Sequence, residues 1–247
     1  MGECILDSAL LIIGAGIEQV YAYELGKRMG YKVIGTDKNP NAPAFKYADH
    51  KVIASTRDHV DTLNSLRKFK HYESIKGVMT LANDVPFTVA YVAKHLGLCS
   101  ISLETASLSI DKLKMKNCFI KKNVTTPKFK DCSSLEALIS FIKREGYPCI
   151  IKPTDGRGSR GVVLIEKDID LRWALNHCLK QSCSKKIIIE KFVSGRQIST
   201  EGFVLKGKLY NCAYADRNYD KLQTFKPFVL EDGGSMPAKL NDLIKKK

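Results

Sequence analysis

The stretch IIKPTDGRGSRGVVLIEK, residues 150–167, sets a glycine-rich loop with two arginines between two short β-like runs, and Lys152 stands just before it. Gly156, Gly158 and Gly161 have access to backbone angles closed to other residues, so several N–H groups can turn toward one anion at close range. Lys152, Arg157 and Arg160 add positive charge. The flank decides the reading. Residues 162–165 continue as a β-rich run, whereas a Walker loop or a dinucleotide-binding loop opens a helix. The expectation is a hairpin whose tip covers phosphates. Standing alone, such a loop reads first as an ordinary hairpin with a solvated tip, and the rest of the chain changes that weighting.

Upstream, residues 9–13 read as an apolar strand running into Gly14, Ala15 and Gly16; a helix follows over 20–29 and a second strand over 32–36. This βαβ opening puts Asp37 at the end of its second strand, where a dinucleotide-binding fold sets an acid against ribose. Gln19, in GAGIEQ, stands where that fingerprint has its third glycine, so the match is partial. A strand over 51–54, a helix near 60–68, a strand over 77–81 and a helix near 86–96 continue the alternation. They imply a parallel sheet flanked by helices.

After Leu98 the texture changes, and the domain boundary is placed near Glu104. A helix is expected around 111–121, then TTPKF at 125–129, where Pro127 interrupts regularity before a new strand. Beyond come a helix over 134–145, the glycine-loop hairpin, a helix near 169–180 and a strand over 186–190. Strands over 197–205 and 208–215 are joined by a Lys206-Gly207 turn. This second half is α+β with antiparallel pairing.

The chain of 247 residues has ample apolar content for packed cores. No apolar run approaches the roughly 20 residues that cross a bilayer, and the N-terminus has no basic stretch leading to a small-residue cleavage site. Residence in the cytoplasm is expected. The eight cysteines are scattered among hydrophobic segments with no CxxC pair, which implies reduced, mostly buried thiols. His177, Cys178 and Cys183 match no zinc spacing. The net charge of +14 raises nucleic acid as a partner. Its densest stretch, residues 112–130, is interleaved with apolar positions and reads as a helix with solvated lysines, with no nucleic-acid module beside it. A positive field equally favours a nucleoside triphosphate and a carboxylate substrate.

Several features recur in one order: Lys112 and Met115 on a helix, Lys152 before the glycine loop, then Glu190, Lys191, Phe192 and Val193 ending a strand, with Gln197 and Glu201 after Gly195. This order resembles the ATP-grasp superfamily over about residues 10–237, nearest the branch of carboxylate-amine ligases related to the large subunit of carbamoyl-phosphate synthetase. The N-terminal part resembles that branch in LLIIGAGIEQ and, more specifically, in GTDKNPNAPAFKYAD, residues 35–49. The fold class implied is α/β. A Rossmann-like, pre-ATP-grasp domain covers 1–104, an α+β ATP-grasp small subdomain with the glycine-rich loop covers 105–195, and an incomplete second subdomain covers 196–247.

The resemblance implies that Lys112 and Lys152 approach the phosphates of ATP as compact ammonium charges. It implies that the loop with Gly156, Arg157, Gly158, Ser159 and Gly161 closes over the triphosphate. Glu190, Lys191, Phe192 and Val193 would read adenine through backbone groups and a carboxylate. Gln197 stands where the family commonly has a glutamate on the ribose hydroxyls, and an amide can still hydrogen-bond there. Asp216 and Arg217, in ADRNYD, and Glu231, Gly233 and Pro237, in LEDGGSMP, resemble segments preceding the catalytic core. Arg217 is the candidate catalytic residue, meeting an acyl phosphate or carboxylate bidentately. Asn83 and Asp84 follow a strand at the carboxyl edge of the sheet, and Asp84 is a candidate substrate contact.

Family members carry, beyond these motifs, a glutamate and a Glu-x-Asn pair that hold magnesium, and the chain stops at Lys247 before them. ATP is the expected cofactor, Mg2+ belongs to the complete family site, and no metal ligand is assigned here. The activity implied is ATP-dependent carboxylate–amine ligation, ADP-forming, by a chain that is incomplete alone. A complementing C-terminal half or a homo-oligomer is the implied protein partner, and a small carboxylate the implied substrate. Two other readings stand beside it: a non-catalytic nucleotide-binding remnant, and an NAD(P)-dependent oxidoreductase resting on GAGIEQ and Asp37.

Overall fold

Five apolar residues, ALLII, form the first strand, β1 (Ala9–Ile13), of a computed structural model that describes residues 8–70, 72–219, 225–229 and 233–239. The chain divides into two units, Met1–Cys118 and Phe119–Lys247.

In the first unit, β1 is followed by α1 (Val20–Arg28), β2 (Lys32–Asp37), β3 (His50–Ile53), α2 (His59–Arg67), β4 (Ile75–Met79), α3 (Pro86–His95) and α4 (Leu103–Ser109). The strands pair in parallel in the order β3-β2-β1-β4. Because helices cover both faces of such a sheet, its strands are apolar on both sides. Leu11 and Ile13 of β1 pack with Ile34 and Val52 on one face, and Ile12 with Tyr23, Val33 and Phe45 on the other. Asp58 starts α2 by accepting the N–H groups of Val60 and Asp61, and Pro86 opens α3 where no intrahelical donor is needed. The expected βαβ alternation is present; α4, seven residues capped by Ser102, is an element that sequence periodicity did not suggest.

Two contacts explain the stretch of residues 35–49. Tyr23 is fully buried and donates its hydroxyl to the Gly14 carbonyl at 2.9 Å. Burial, and then the nearby Asp37 carboxylate, push its pKa well above the usual phenol value. Asp49 accepts the Val33 N–H at 2.8 Å and pairs with Lys27 at 3.1 Å. Partial burial alone would raise the Asp49 pKa; the Val33 hydrogen bond and then the Lys27 ammonium outweigh it and hold the carboxyl below its ordinary value. A depressed folded pKa contributes stability above the unfolded value near 4 and loses it as pH falls through the folded value. Asp49→Asn is therefore expected to cost about 1 kcal/mol at pH 7, since solvent screens much of the Lys27 pairing. The difference from wild type should shrink in urea titrations as pH falls below the ordinary carboxylate range and through the depressed folded value; a pH-independent difference would contradict it.

In the second unit, β5 (Phe129–Asp131), α6 (Leu135–Glu145), β6 (Cys149–Pro153), β7 (Val163–Ile165), α7 (Leu171–Gln181) and β8 (Ile187–Lys191) form an antiparallel sheet, order β5-β8-β6-β7, with α6 and α7 packed on it. Ile151, Ile165, Ile187 and Ile189 face a core shared with Leu138, Phe141 and Ala174. A second sheet holds β9 (Gln197–Leu205), β10 (Lys208–Arg217) and β11 (Gly234–Ser235), order β11-β10-β9. The helix over Lys112–Lys121, α5, contains the division between the units.

One expectation needs correction. The seven described cysteines are free, as expected, but Cys99, Cys183 and Cys212 are exposed and only Cys132, Cys149 and Cys178 are buried. Burial in hydrophobic surroundings pushes the Cys132 and Cys178 thiols to about 12, so they stay protonated. Within residues 112–130 most lysines are exposed, as expected, and Lys116 is the buried one, at 8% exposure. Among the described residues, no helix is long and apolar enough to cross a membrane. Cys4, Glu231 and the lysines 245–247 lie outside the described residues.

Candidate functional site

Antiparallel register puts Ile150 opposite Glu190 and Lys152 opposite Ile188. Period-two alternation then sends Ile151 and Ile189 into the core and leaves Lys152 and Glu190 as diagonal neighbours on the other face. Their side chains meet at 2.9 Å, with Glu190 only 7% exposed. The two residues that the resemblance assigns to phosphates and to adenine thus form one ion pair.

The glycine loop joins β6 to β7, so it is a hairpin connection, as the flanking residues implied. Gly156, Gly158, Ser159 and Gly161 all have positive φ, 81°, 66°, 56° and 73°. Gly156, Arg157 and Gly158 are exposed, and a Cβ at either of these glycines would meet nothing within 4 Å. Gly161 differs: a Cβ there would lie 2.8 Å from Gln181 and 3.0 Å from Pro153. Its carbonyl accepts from the buried Cys178 thiol at 2.8 Å. At the other foot, Asp155 accepts the Ser182 hydroxyl and the Ser184 N–H, each at 2.8 Å. Burial tends to raise the Asp155 pKa, but the hydrogen bonds from Ser184 and Ser182 outweigh it and hold the carboxyl low. Segment 225–229 returns to β7: Leu164 donates its N–H to the Pro227 carbonyl at 2.8 Å, Val163 pairs antiparallel with Phe228, and Lys226 pairs with Glu166 at 2.8 Å.

At the end of β8 the Lys191 ammonium donates to the carbonyls of Tyr147, at 2.8 Å, and Gly146, at 3.2 Å, just past α6. Its side chain is engaged there, and its backbone N–H donates to the Lys128 carbonyl at 2.8 Å. The Phe192 N–H donates to the Pro148 carbonyl at 3.2 Å. Val193, 63% exposed, follows beyond the strand. Gly195, with φ 137°, leads into β9. Arg196 grips both oxygens of Asp216 at 2.5 and 2.6 Å and also donates to the Lys239 carbonyl. The Arg196 bonds, and then the Lys239 N–H donated to Asp216 at 3.0 Å, lower the Asp216 pKa. Gln197 and Arg217 are direct cross-strand partners, with Gly234 beside Arg217 on β11.

The other assigned residues lie in the first unit. Lys112 and Met115 stand on the first turns of α5, where Asp111 accepts the N–H groups of Leu113 and Lys114. Asp84 is exposed in the loop after β4. The dinucleotide-like features serve other ends. Asp37 accepts the N–H groups of Ala15, at 3.0 Å, and Asn39, at 2.9 Å. Gln19, buried where the fingerprint has glycine, bonds both backbone groups of Leu81 and so bridges the ends of β1 and β4. Open α/β sheets bind dinucleotides in that crevice; here a side chain occupies it.

Among the described residues no group of three or more His, Cys, Asp or Glu side chains gathers closely enough to hold a metal ion. The donors among the described residues do not fit a magnesium site. Asp155, Ser182, Cys178 and the 225–229 strap escaped sequence reasoning. The Asp-Gly pair signals a turn, but the partners of Asp155 lie 27 and 29 residues away.

Residues 10–96 match the PylC-like N-terminal domain, and residues 111–223 match the ATP-binding domain of the carbamoyl-phosphate synthase L chain. A formate-dependent phosphoribosylglycinamide formyltransferase of Prochlorococcus marinus is 26% identical over 199 residues, 77% of this chain and 48% of that protein. An L-amino acid ligase from Bacillus licheniformis superposes with a TM-score of 0.75 at 21% identity, over 97% of this chain and 57% of its own. An N5-carboxyaminoimidazole synthetase from Staphylococcus aureus complexed with ADP gives 0.76 at 15% identity, over 100% and 62%. The chain spans about half the length of the curated relatives it matches, and the solved structures establish a shared fold. A PylC-like N-terminal domain thus leads into an ATP-binding domain of the carbamoyl-phosphate synthase L chain kind, the domain order of ATP-grasp proteins related to that L chain.

Proposed function

We propose that this chain binds ATP at the glycine loop and the end of β8, as part of an enzyme that activates a carboxylate and ligates it to an amine. The observation that carries the reading is the Lys152–Glu190 pair at 2.9 Å beneath a hairpin loop with four left-handed residues. Turned N–H groups at Gly156 and Gly158, with Lys152 and Arg157, suit a polyphosphate. The Val193 backbone and the Glu190 carboxylate suit adenine, and Gln197 suits the ribose hydroxyls. In the reaction a substrate carboxylate oxygen attacks the γ-phosphorus and the bond to the ADP oxygen breaks. The amine then attacks the acyl carbon, loses a proton, and inorganic phosphate leaves. Arg217, opposite Gln197, would hold the acyl phosphate or carboxylate through paired donors. Lys112 would add charge at the phosphates, Met115 would line the nucleotide site, and Asp84 would contact the substrate.

The domain limits proposed are 1–104, 105–195 and 196–247. Magnesium and the acceptor site are assigned to polypeptide beyond this span, a complementing C-terminal half or a further subunit, acting in the cytoplasm. Of the relatives, the formyltransferase and the ligase are named for reactions that this scheme accommodates. Saturating ATP, at 100 times its dissociation constant, should stabilise the folded chain by about 2.7 kcal/mol. Thermal melts with ATP beside NADH and NADPH check this. A shift with a nicotinamide cofactor alone, or none with ATP, overturns the reading.

A further inference from the structure

The two feet of the glycine loop are held by the same short region, the last turn of α7 and the turn after it. At the first foot Asp155 takes the Ser182 hydroxyl and the Ser184 N–H, both at 2.8 Å. Ser182 is 2% exposed and also accepts the Lys186 N–H at 3.3 Å; of the acceptors its own proton can reach, Asp155 at 2.8 Å is nearer than the Ser184 hydroxyl at 3.2 Å and the Lys186 carbonyl at 3.4 Å. The fully buried Thr154 donates its N–H to the Lys186 carbonyl at 3.0 Å. At the second foot Cys178 donates to the Gly161 carbonyl, and Gly161 packs against Gln181 too closely for any side chain of its own. Between the feet, Gly156 and Gly158 have open space around their Cα atoms. A loop anchored at both ends and open in the middle closes on a ligand as a unit, because its end points do not travel.

We propose that Asp155 is a positioning residue for phosphate binding: through Ser182 and Ser184 it sets the direction in which the loop leaves β6, and so aims the loop N–H groups at the polyphosphate. It touches no ligand itself. A carboxylate suits this position because it accepts two hydrogen bonds at once and donates none, so it cannot turn the Ser184 N–H away. The proposal rests on ATP binding at this loop. It adds that the loop's aim is determined 27 residues downstream in the chain.

The experiment uses the whole chain and measures binding of ATP and of adenosine by calorimetry for wild type, Asp155→Ala, Asp155→Asn and Ser182→Ala. Adenosine lacks phosphates and reports on the adenine and ribose contacts at the end of β8 and Gln197. Asp155→Ala should weaken ATP about tenfold, within the range seen when outer support of a ligand-binding group is removed, with adenosine unchanged. Asp155→Asn keeps one acceptor for Ser184 and should fall between. Ser182→Ala should weaken ATP in the same sense, and its effect should not add to that of Asp155→Ala. Equal losses for ATP and adenosine, or unchanged ATP binding in both alanine variants, would overturn the proposal. Wild type that fails to bind ATP would instead remove the reading on which it rests, so the two failures are distinct. Melting temperatures of each variant confirm that binding is measured on folded protein.

Discussion

Lys152→Ala is expected to remove most of the ATP-dependent stabilisation and to destabilise the free chain by about 2 to 3 kcal/mol. The two effects have separate causes. The free chain loses the ammonium 2.9 Å from the Glu190 carboxylate, whose residue is 7% exposed. Removing one member of a largely buried pair leaves a poorly solvated charge, at up to about 3 to 5 kcal/mol when burial is complete; the Lys152 side chain is 22% exposed, which moderates the cost. ATP binding loses a point charge beside the phosphates, about 100-fold in affinity if that contact contributes about 3 kcal/mol. The double variant Lys152→Ala, Glu190→Gln separates them. Neutralising the stranded carboxylate should recover most of the stability and none of the ATP affinity. If ATP still stabilises the double variant as it does wild type, Lys152 is a structural residue and the phosphate cradle lies elsewhere.

The second large effect lies far from the loop in sequence. Gly35→Ala is expected to cost about 3 kcal/mol, because a Cβ at residue 35 would lie 2.3 Å from the Tyr23 hydroxyl oxygen and within 2.9 Å of two of its ring carbons. Tyr23 is fully buried and hydrogen-bonded to the Gly14 carbonyl, so it cannot swing aside. Overpacking of this kind costs about 1 to 3 kcal/mol, and displacing the hydroxyl forfeits a buried hydrogen bond as well. Urea unfolding should show a lower midpoint at an unchanged slope. Adding Tyr23→Phe should recover part of the loss by removing the nearest atom, while the ring carbons keep the rest. A neutral Gly35→Ala would mean that the sheet and α1 pack less closely than this geometry states.

Much of this architecture is readable in one dimension. Runs such as ALLII and CIIKP differ in period from VYAYELGKR, and the glycine and proline positions punctuate them, so most strands and helices fall where the pattern implies. The β-rich flank of the glycine loop distinguishes a hairpin from a helix-opening phosphate loop for the same local reason. The family order of Lys112, Lys152, Glu190 and Gln197 is likewise a linear property.

What linear order leaves open is which groups meet. The Lys152–Glu190 pair depends on a register that local pattern does not specify, since a shift of two residues would keep both faces and separate the charges. Gln19 reads in sequence as a defect in a dinucleotide fingerprint; folded, it is a buried bridge to Leu81, 62 residues on. Lys116 sits among solvated lysines in sequence and is buried in space. The strap at residues 225–229 joins β7 only because the edge of that strand offers unpaired backbone groups. The sequence by itself therefore determined most of the elements, their order and the family resemblance, because period and turn chemistry act over a few residues. The tertiary structure alone decided the ion pair, the clamp on the loop and the bridged crevice, because hydrogen bonds and charges act across about 3 Å of space between residues whose separation along the chain carries no signal.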